Sequence, residues 1–298
     1  MRTLVTGATS SFGQFVVEEL EARGAVVVTA GRNRPLWRDG MHAHVDLSDA
    51  NSVSSLPRAA GDVQRVVHLA AAVPLRAADD DPERMIVLNE LSTVRLIEAY
   101  GSGLERFVLA STAEVYGGVP GPRPAVGEDQ PVDPPSAYAT SKLAAEMQLR
   151  LAAVRLGIGW AALRYTVLYG GHDRIARAIP AFITDALGGK QPTVVGGEEQ
   201  RDYLHVREAA RATALAATSR SSGVYNIGSG RTTTIYEAAL AIADMVQPGL
   251  GVEVVPKPEP GVHVTLDVRR AERDLGFRAE HHFPWGMEEQ LEWQRARL

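Results

Sequence analysis

Tyr138 and Lys142 lie four positions apart in the run Tyr138-Ala139-Thr140-Ser141-Lys142. On a helix that spacing puts both side chains on one face. A neighbouring ammonium favours the phenolate and draws a tyrosine down from its usual pKa of about 10 toward working pH. The phenol then becomes a usable general acid and base. Upstream, Ser111-Thr112-Ala113-Glu114-Val115-Tyr116-Gly117 follows a buried apolar run, where the Thr112 hydroxyl can polarise the same substrate oxygen. A Tyr–Lys pair alone occurs on many helices by chance. Its position behind a strand-end hydroxyl and a glycine turn, in that order, is the informative feature.

The glycine turn is Thr6-Gly7-Ala8-Thr9-Ser10-Ser11-Phe12-Gly13, between the first strand and the first helix. Such a turn aims backbone N–H groups and a helix N-terminus at a pyrophosphate. Gly7 permits the tight turn, Gly13 permits close helix–strand packing, and Thr9, Ser10, Ser11 and Phe12 are the candidate contacts between them. Ligand-free turns of this kind exist, but this one opens a βαβ unit at residue 7, which favours a dinucleotide. The second strand ends Thr29-Ala30-Gly31-Arg32-Asn33, without the acid that NAD enzymes usually place there for the ribose hydroxyls. Arg32 can pair with a 2′-phosphate, so NADP(H) is expected over NAD(H); the plain alternative is a solvated loop residue. Asp46, in Val45-Asp46-Leu47, ends the third strand, where a carboxylate can meet the adenine amine or cap the next helix.

The elements that would hold these residues alternate. Apolar runs at Arg2–Thr6, Ala25–Ala30, Met41–Asp46, Gln64–Ala70, Glu105–Ala110 and Ile158–Tyr165 read as strands buried on both faces, the pattern of a parallel sheet covered by helices. Helices are expected over Gly13–Arg23, from Ser48, over Pro82–Tyr100 and after Ser136, where Leu143, Met147, Leu151 and Val154 form one apolar stripe. Gly117–Ser136 is a Pro- and Gly-rich loop, long enough to border a site. Shorter elements follow: helices near Ile175–Leu187, Val206–Thr218, Ile235–Val246 and Trp285–Arg297, and strands at Thr193–Val195 and Val224–Ile227. The fold expected is α/β, a doubly wound parallel sheet over residues 1–165, with residues 202–227 returning to it. Residues 166–201 and 228–298 would form a smaller substrate-binding domain.

The chain has 298 residues and a net charge of −5, and it contains no cysteine. That composition excludes disulfide, thiolate-metal and cysteine-nucleophile chemistry, and gives no electrostatic footprint for nucleic acid. No apolar stretch reaches the length of a membrane span, and no signal peptide is read at the start, so a cytoplasmic location is expected. Other residues take plain readings. His68 is a packed strand-end histidine. His281-His282 is not a metal pair, since adjacent side chains diverge. Trp285 and Trp293 are core residues of one helix, and Asp79-Asp80-Asp81 is a solvated lead into the helix at Pro82.

In order and spacing, the chain resembles the extended short-chain dehydrogenases/reductases of the NAD-dependent epimerase/dehydratase family. Thr6–Gly13 resembles the family's TGxxGxxG turn, His68-Leu69-Ala70-Ala71 its HxAA strand end, and Asn89 its structural asparagine. Leu163-Arg164-Tyr165, the run Arg201–Val206, Tyr225–Gly228, Asp267 and Leu275-Gly276-Phe277 resemble later signatures. The resemblance implies a proton exchange between Tyr138 and the substrate oxygen, with Lys142 on the nicotinamide ribose and Thr112 positioning that oxygen. It adds Leu47, Ala70, Asn89 and Tyr165 to the cofactor set. It also implies a homodimer through the helices near Pro82–Tyr100 and Ala137–Leu156.

The chain also departs from the pattern. Ser10 replaces the middle glycine of the turn. Val167 stands where nucleotide-sugar epimerases carry an asparagine, and Lys257-Pro258-Glu259-Pro260 stands where they carry Arg and Asp. Ala113 and Glu114 replace the Asp-Glu pair of the dehydratases, which removes the expected acid for water elimination. Glu114, Val167, Arg201 and Lys257 are the candidate substrate contacts. The reading is an NAD(P)-dependent epimerase or oxidoreductase acting on a secondary alcohol or ketone of a sugar-like substrate, with or without a linked nucleotide, since the departures at Val167 and Lys257–Pro260 remove the residues expected at a nucleotide pocket. Its alternatives are an NADPH-dependent ketoreductase with a non-nucleotide substrate and a catalytically silent NADP-binding sensor. No metal, membrane or nucleic-acid partner is expected.

Overall fold

The computed structural model describes residues 1–74, 81–118, 124–171, 177–257 and 263–297. Its centre is a seven-stranded, all-parallel sheet of β1 (Arg2–Thr6), β2 (Val26–Gly31), β3 (Met41–His44), β4 (Arg65–His68), β5 (Arg106–Thr112), β6 (Gly159–Tyr165) and β11 (Gly223–Ile227). The order is β11-β6-β5-β4-β1-β2-β3. The late strand does return to the sheet, beside β6, with Tyr225 opposite Leu163. Three pairs of short strands lie outside it: β7 (Val167–Tyr169) with β10 (Tyr203–His205), β8 (Thr193–Val195) with β13 (Glu253–Val255), and β9 (Gln200–Arg201) with β12 (Thr233–Thr234).

Helices cover both faces, as the buried strand runs require. α1 (Ser11–Ala22), α8 (Val206–Thr218) and α10 (Arg269–Leu275) pack over one face around Val5, Val67 and Leu163. The other face, around Leu4, Val66 and Phe107, is covered by α2 (Ala50–Ser54), α3 (Leu56–Ala60), α5 (Ser92–Tyr100) and α6 (Ala137–Leu156). A third cluster joins Tyr169, Phe182, Ile183, Ile242, Met287 and Leu291, drawing on α7 (Ala178–Leu187), α9 (Ile235–Val246) and α11 (Met287–Arg295). The sheet order reverses between β1 and β4. Their C-terminal ends open a crevice there, the usual ligand position of a doubly wound sheet.

Several boundaries move. The helix expected from Pro82 to Tyr100 is α-helical only at α4 (Pro82–Met85) and α5, with a π-helical turn over Ile86–Leu91 between them. Hydroxyls take up the loosened carbonyls: Ser92 donates to Leu88 O at 2.7 Å and Thr93 to Asn89 O at 2.8 Å. Asp81 caps α4 through the Glu83 and Arg84 N–H groups; Asp79 and Asp80 lie outside the described residues. On α6 only Leu143 of the apolar stripe packs inward. Met147, Leu151 and Val154 are 61, 67 and 75% exposed. Trp285 precedes α11 and is half-exposed, with its ring stacked on His281 at 3.8 Å, so the two tryptophans do not share a helix core.

His68 is fully buried at the end of β4, with Nδ1 2.6 Å from Thr6 Oγ1 and Nε2 3.1 Å from Ser92 Oγ. Burial, reinforced by the Lys142 charge, pushes the ring down to about 3. The unfolded chain binds that proton near pH 6.5. The stabilisation is therefore complete above pH 6.5 and is lost as pH falls toward 3. Buried Asp202, pushed up to about 6 by desolvation, works in the opposite sense, so the comparison must be with a variant. His68→Asn should remove roughly 2 kcal/mol of the difference in unfolding free energy between pH 6.5 and 4.5. Urea titrations at the two pH values check this, and equal slopes for variant and wild type would contradict it.

Candidate active site

The crevice is a cleft of about 1110 Å³ lined by the ends of β1, β2, β4, β5 and β6 and by the start of α6. Its cofactor side begins at the turn after β1. Gly7 has φ 76°, and a Cβ there would stand 2.7 Å from Ala70 N. A Cβ on Gly13 would stand 2.2 Å from Gly7 O. Two backbone segments thus meet with no room for a side chain, and the residues of the turn line the cleft. Ser10 fits without a glycine. Its φ is −77°, its hydroxyl donates to Gly7 O at 2.8 Å and accepts from Gly13 N at 2.9 Å, and it caps α1. Thr9, Ser11 and Phe12 line the cleft, and the Phe12 ring meets Tyr165 edge-on at 5.2 Å. Ala70 holds its place by donating N–H to Thr6 Oγ1 at 3.2 Å.

Arg32, Asp46 and Leu47 line the outer end of that side. Arg32 is exposed just past β2, and its carbonyl accepts from His44 Nδ1 at 3.1 Å. Asp46 Oδ1 accepts from the Ser48 hydroxyl at 2.6 Å and the Ser48 N–H at 2.9 Å. Those two donors hold the carboxyl below its usual range. Asp46 turns the chain after β3, whereas Asp49 is the residue that caps α2.

At the inner end stand the three candidate catalytic residues. Thr112 ends β5 opposite Tyr165, and its Oγ1 accepts from Glu114 N at 3.2 Å. Ser136 caps α6 and donates to Glu114 Oε1 at 2.5 Å, which ties the Thr112 turn to the start of that helix. Tyr138 lies in the first turn of α6, and Lys142 one turn later, and both line the cleft. Burial pushes Tyr138 up to about 12; Arg177 pulls it down and Glu114 pushes it up. Burial pushes Lys142 down to about 8, against the pull of Glu146. Arg177 is thus a cation acting on the phenol from outside the expected Tyr138–Lys142 pair. Sequence reasoning missed Arg177, which precedes α7 and lines the cleft. A cation at a helix N-terminus runs against the helix dipole, and that was the available signal.

The candidate substrate residues Glu114, Val167 and Arg201 line the same cleft, as do Val73, Pro74 and Leu88. Three expected contacts lie away from the cleft. Asn89 is fully buried, accepting from Ala72 N at 2.7 Å and donating to Ala72 O and Ser141 Oγ, so it braces the strand end against α6. Gly13 acts through packing alone. Lys257 pairs with the buried Glu199 at 2.7 Å, because that carboxylate needs a counter-charge; Pro258-Glu259-Pro260 lies outside the described residues. His281 has two carboxylates beside it. Glu208, from α8, and Glu280 bring ligand atoms within 4.8 Å of its ring. Glu208 already accepts from His281 Nδ1 at 2.8 Å and from Arg211 at 2.7 Å, so arginine supplies the cation.

The NAD dependent epimerase/dehydratase family model matches residues 3–228. The chain belongs to this family and is an NAD-dependent enzyme of the extended short-chain dehydrogenase/reductase type. It is 33% identical over 236 residues to a dTDP-glucose 4,6-dehydratase of Streptomyces niveus, covering 77% of this chain and 69% of that one. The UDP-glucose 4-epimerase of Thermus thermophilus, solved with NAD, superposes with TM-score 0.85 at 30% identity over 100% of both chains. That of Thermotoga maritima, solved with UDP-glucose, gives 0.89 at 25% identity over 100% of this chain and 99% of that one.

The cleft therefore fits a dinucleotide, against a turn whose close backbone packing has no room for a Cβ at Gly7 or Gly13. Gly13→Ala should weaken NAD(H) binding at least tenfold by pushing on Gly7 O. Titration of nicotinamide fluorescence checks this, and unchanged affinity would show that the turn does not carry the pyrophosphate.

Proposed function

We propose that the protein epimerises a secondary alcohol on a nucleotide-linked, sugar-like substrate, with NADP(H) preferred over NAD(H). The observation that carries this reading is the convergence of Thr112, Tyr138 and Lys142 in one cleft with the glycine cradle. The nicotinamide cofactor, when bound, accepts and returns the hydride. The Gly7–Gly13 turn would hold its pyrophosphate, with Lys142 on its ribose. Thr112 would hold the substrate oxygen by hydrogen bond. Tyr138 would take the proton from that oxygen and later give it back. Burial alone makes Tyr138 a poor base, so cations must lower it in the complex: Arg177, Lys142 and the cofactor's own charge. Arg177 and Arg201 are the candidate partners for an anionic group of the substrate.

The cofactor preference rests on Arg32 at the rim and on Gly31 where an acid would meet the ribose. Residues 1–165 and 202–227 would be the cofactor half, and 166–201 and 228–298, with their own apolar cluster, the substrate half. The exposed stripe Met147, Leu151 and Val154, with half-exposed Ile86 on the π-helical turn that packs beside α6, fits a second copy of the chain packed helix to helix. No helix among the described residues is long and apolar enough to cross a membrane, and a cytoplasmic homodimer is our reading. The second reading is an NADPH-dependent ketoreductase with a non-nucleotide substrate, favoured by Val167 in place of the asparagine.

Tyr138→Phe should cut turnover at least a hundredfold while changing cofactor affinity less than threefold. Turnover like wild type would sink the assignment, and inertness of wild type itself would favour a cofactor-binding sensor. UDP-sugar conversion without net absorbance change at 340 nm supports epimerisation, whereas steady consumption of NADPH supports the reductase. Arg32→Asp should shift the NADP/NAD affinity ratio toward NAD at least tenfold, and an unchanged ratio makes Arg32 a bystander. Leu151→Glu should convert the dimer to monomer in light scattering; an unchanged mass would place the interface elsewhere.

A further inference from the structure

Behind the catalytic helix, a buried ion pair with no part in the proton transfer proposed above adjoins Lys142. Glu146 follows Lys142 by one turn of α6, and their exposures are 3% and 2%. Arg164, from β6, donates to Glu146 through Nη2 at 2.7 Å and through Nε at 3.1 and 3.2 Å. The Ser111 hydroxyl, from β5, donates to the same carboxylate. Arg164 is itself held, with its guanidinium 4.8 Å from the centre of the Tyr116 ring. The Tyr116 hydroxyl donates to Asn226 Oδ1 at 2.7 Å. Three elements therefore fix the carboxylate in place.

With Lys142, the pair makes two cations and one anion. An arginine keeps its proton under all ordinary conditions, so Lys142 is the only cation that can relinquish its charge. Burial pushes it to do so. The groups facing it from other elements give little support. His68 of β4 is neutral, since burial pushes its ring down to about 3. Ser111 and Thr112 of β5 and Tyr165 of β6 offer uncharged hydroxyls. Tyr138 is a phenol on the same helix, and Glu114 and Arg177, which also line the cleft, carry opposite signs. Glu146 is the charge that raises Lys142 against its burial.

We propose that Glu146, paired with Arg164 and Ser111 one helical turn from Lys142 in the same buried layer, is a positioning residue whose negative charge favours the lysine ammonium at neutral pH. Arg164 then acts as a brake, since it draws on the same negative charge. Loss of Glu146 and loss of Arg164 must shift the lysine in opposite directions, although each breaks the same ion pair. A merely structural pair would give no such opposition. The consequence for turnover rests on the Tyr138/Lys142 mechanism proposed above, but the titration of Lys142 does not.

The chain has only three lysines, Lys142, Lys190 and Lys257, so 13C-lysine labelling gives three resolvable Cε signals. Lys142 is assigned by its loss in Lys142→Arg, and its midpoint is followed by NMR in the free protein. In Glu146→Gln, which keeps the shape and most hydrogen bonds, the midpoint should fall by at least one pH unit, a tenfold change in acidity. In Arg164→Gln it should rise, and Lys190 and Lys257 should stay in place in both. Should Glu146→Gln fail to fold, Arg164→Gln carries the test alone. A folded Glu146→Gln with an unmoved Lys142 overturns the proposal, as does a fall in Arg164→Gln. The alkaline limb of the kcat profile should follow the NMR midpoint in Glu146→Gln. A midpoint that moves while the limb stays put supports the Glu146 assignment and rejects the Tyr138/Lys142 mechanism.

Discussion

The structure depends on a close approach of backbone to backbone at the reversal of the sheet. Gly7 lies against Ala70 N and Gly13 against Gly7 O, each nearer than a Cβ permits. This contact brings the ends of β1 and β4 and the start of α1 to one point. It sets the turn and the start of α1 against the cleft, and a helix N-terminus favours a pyrophosphate there. Ser10 takes over the closing of the turn by hydrogen bonding to both glycines. The other elements then place side chains relative to that point: β5 delivers Thr112, α6 delivers Tyr138 and Lys142, and the segment after β6 brings Val167 and Arg177.

Around this contact the decisive term is the cost of burying charge. Tyr138 is pushed up and Lys142 down, each by burial, and each is opposed by a different partner. Arg177, which lines the cleft, acts on Tyr138, and Glu146, within the fold, acts on Lys142. That division explains why the phenol is not ready to ionise in the free protein. Ligand charges must complete the arrangement, and this couples binding to chemistry.

The sheet was legible because its strands are buried on both faces and read as unbroken apolar runs. The glycine turn and the Tyr–Lys helix were legible because their spacing is local. The failures were matters of tertiary context. The π-helical turn over Ile86–Leu91 follows from Asn89 being drawn to Ala72 and Ser141, contacts made across long sequence separations. Lys257 was expected at the substrate, but a buried carboxylate, Glu199, claims it. The apolar stripe of α6 was correctly seen, yet periodicity cannot tell a face turned to the core from one turned outward. Arg177 carries no motif, and only the fold brings it to the phenol.

The most direct test of the account is a crystal structure with NADP bound. The account predicts the pyrophosphate against the Gly7–Gly13 turn and the 2′-phosphate beside Arg32. It also predicts the nicotinamide ribose within hydrogen-bond reach of Lys142, with the ring facing the Tyr138 hydroxyl. A nicotinamide bound away from Tyr138 and Lys142, in a structure whose turn holds no phosphate, would contradict it.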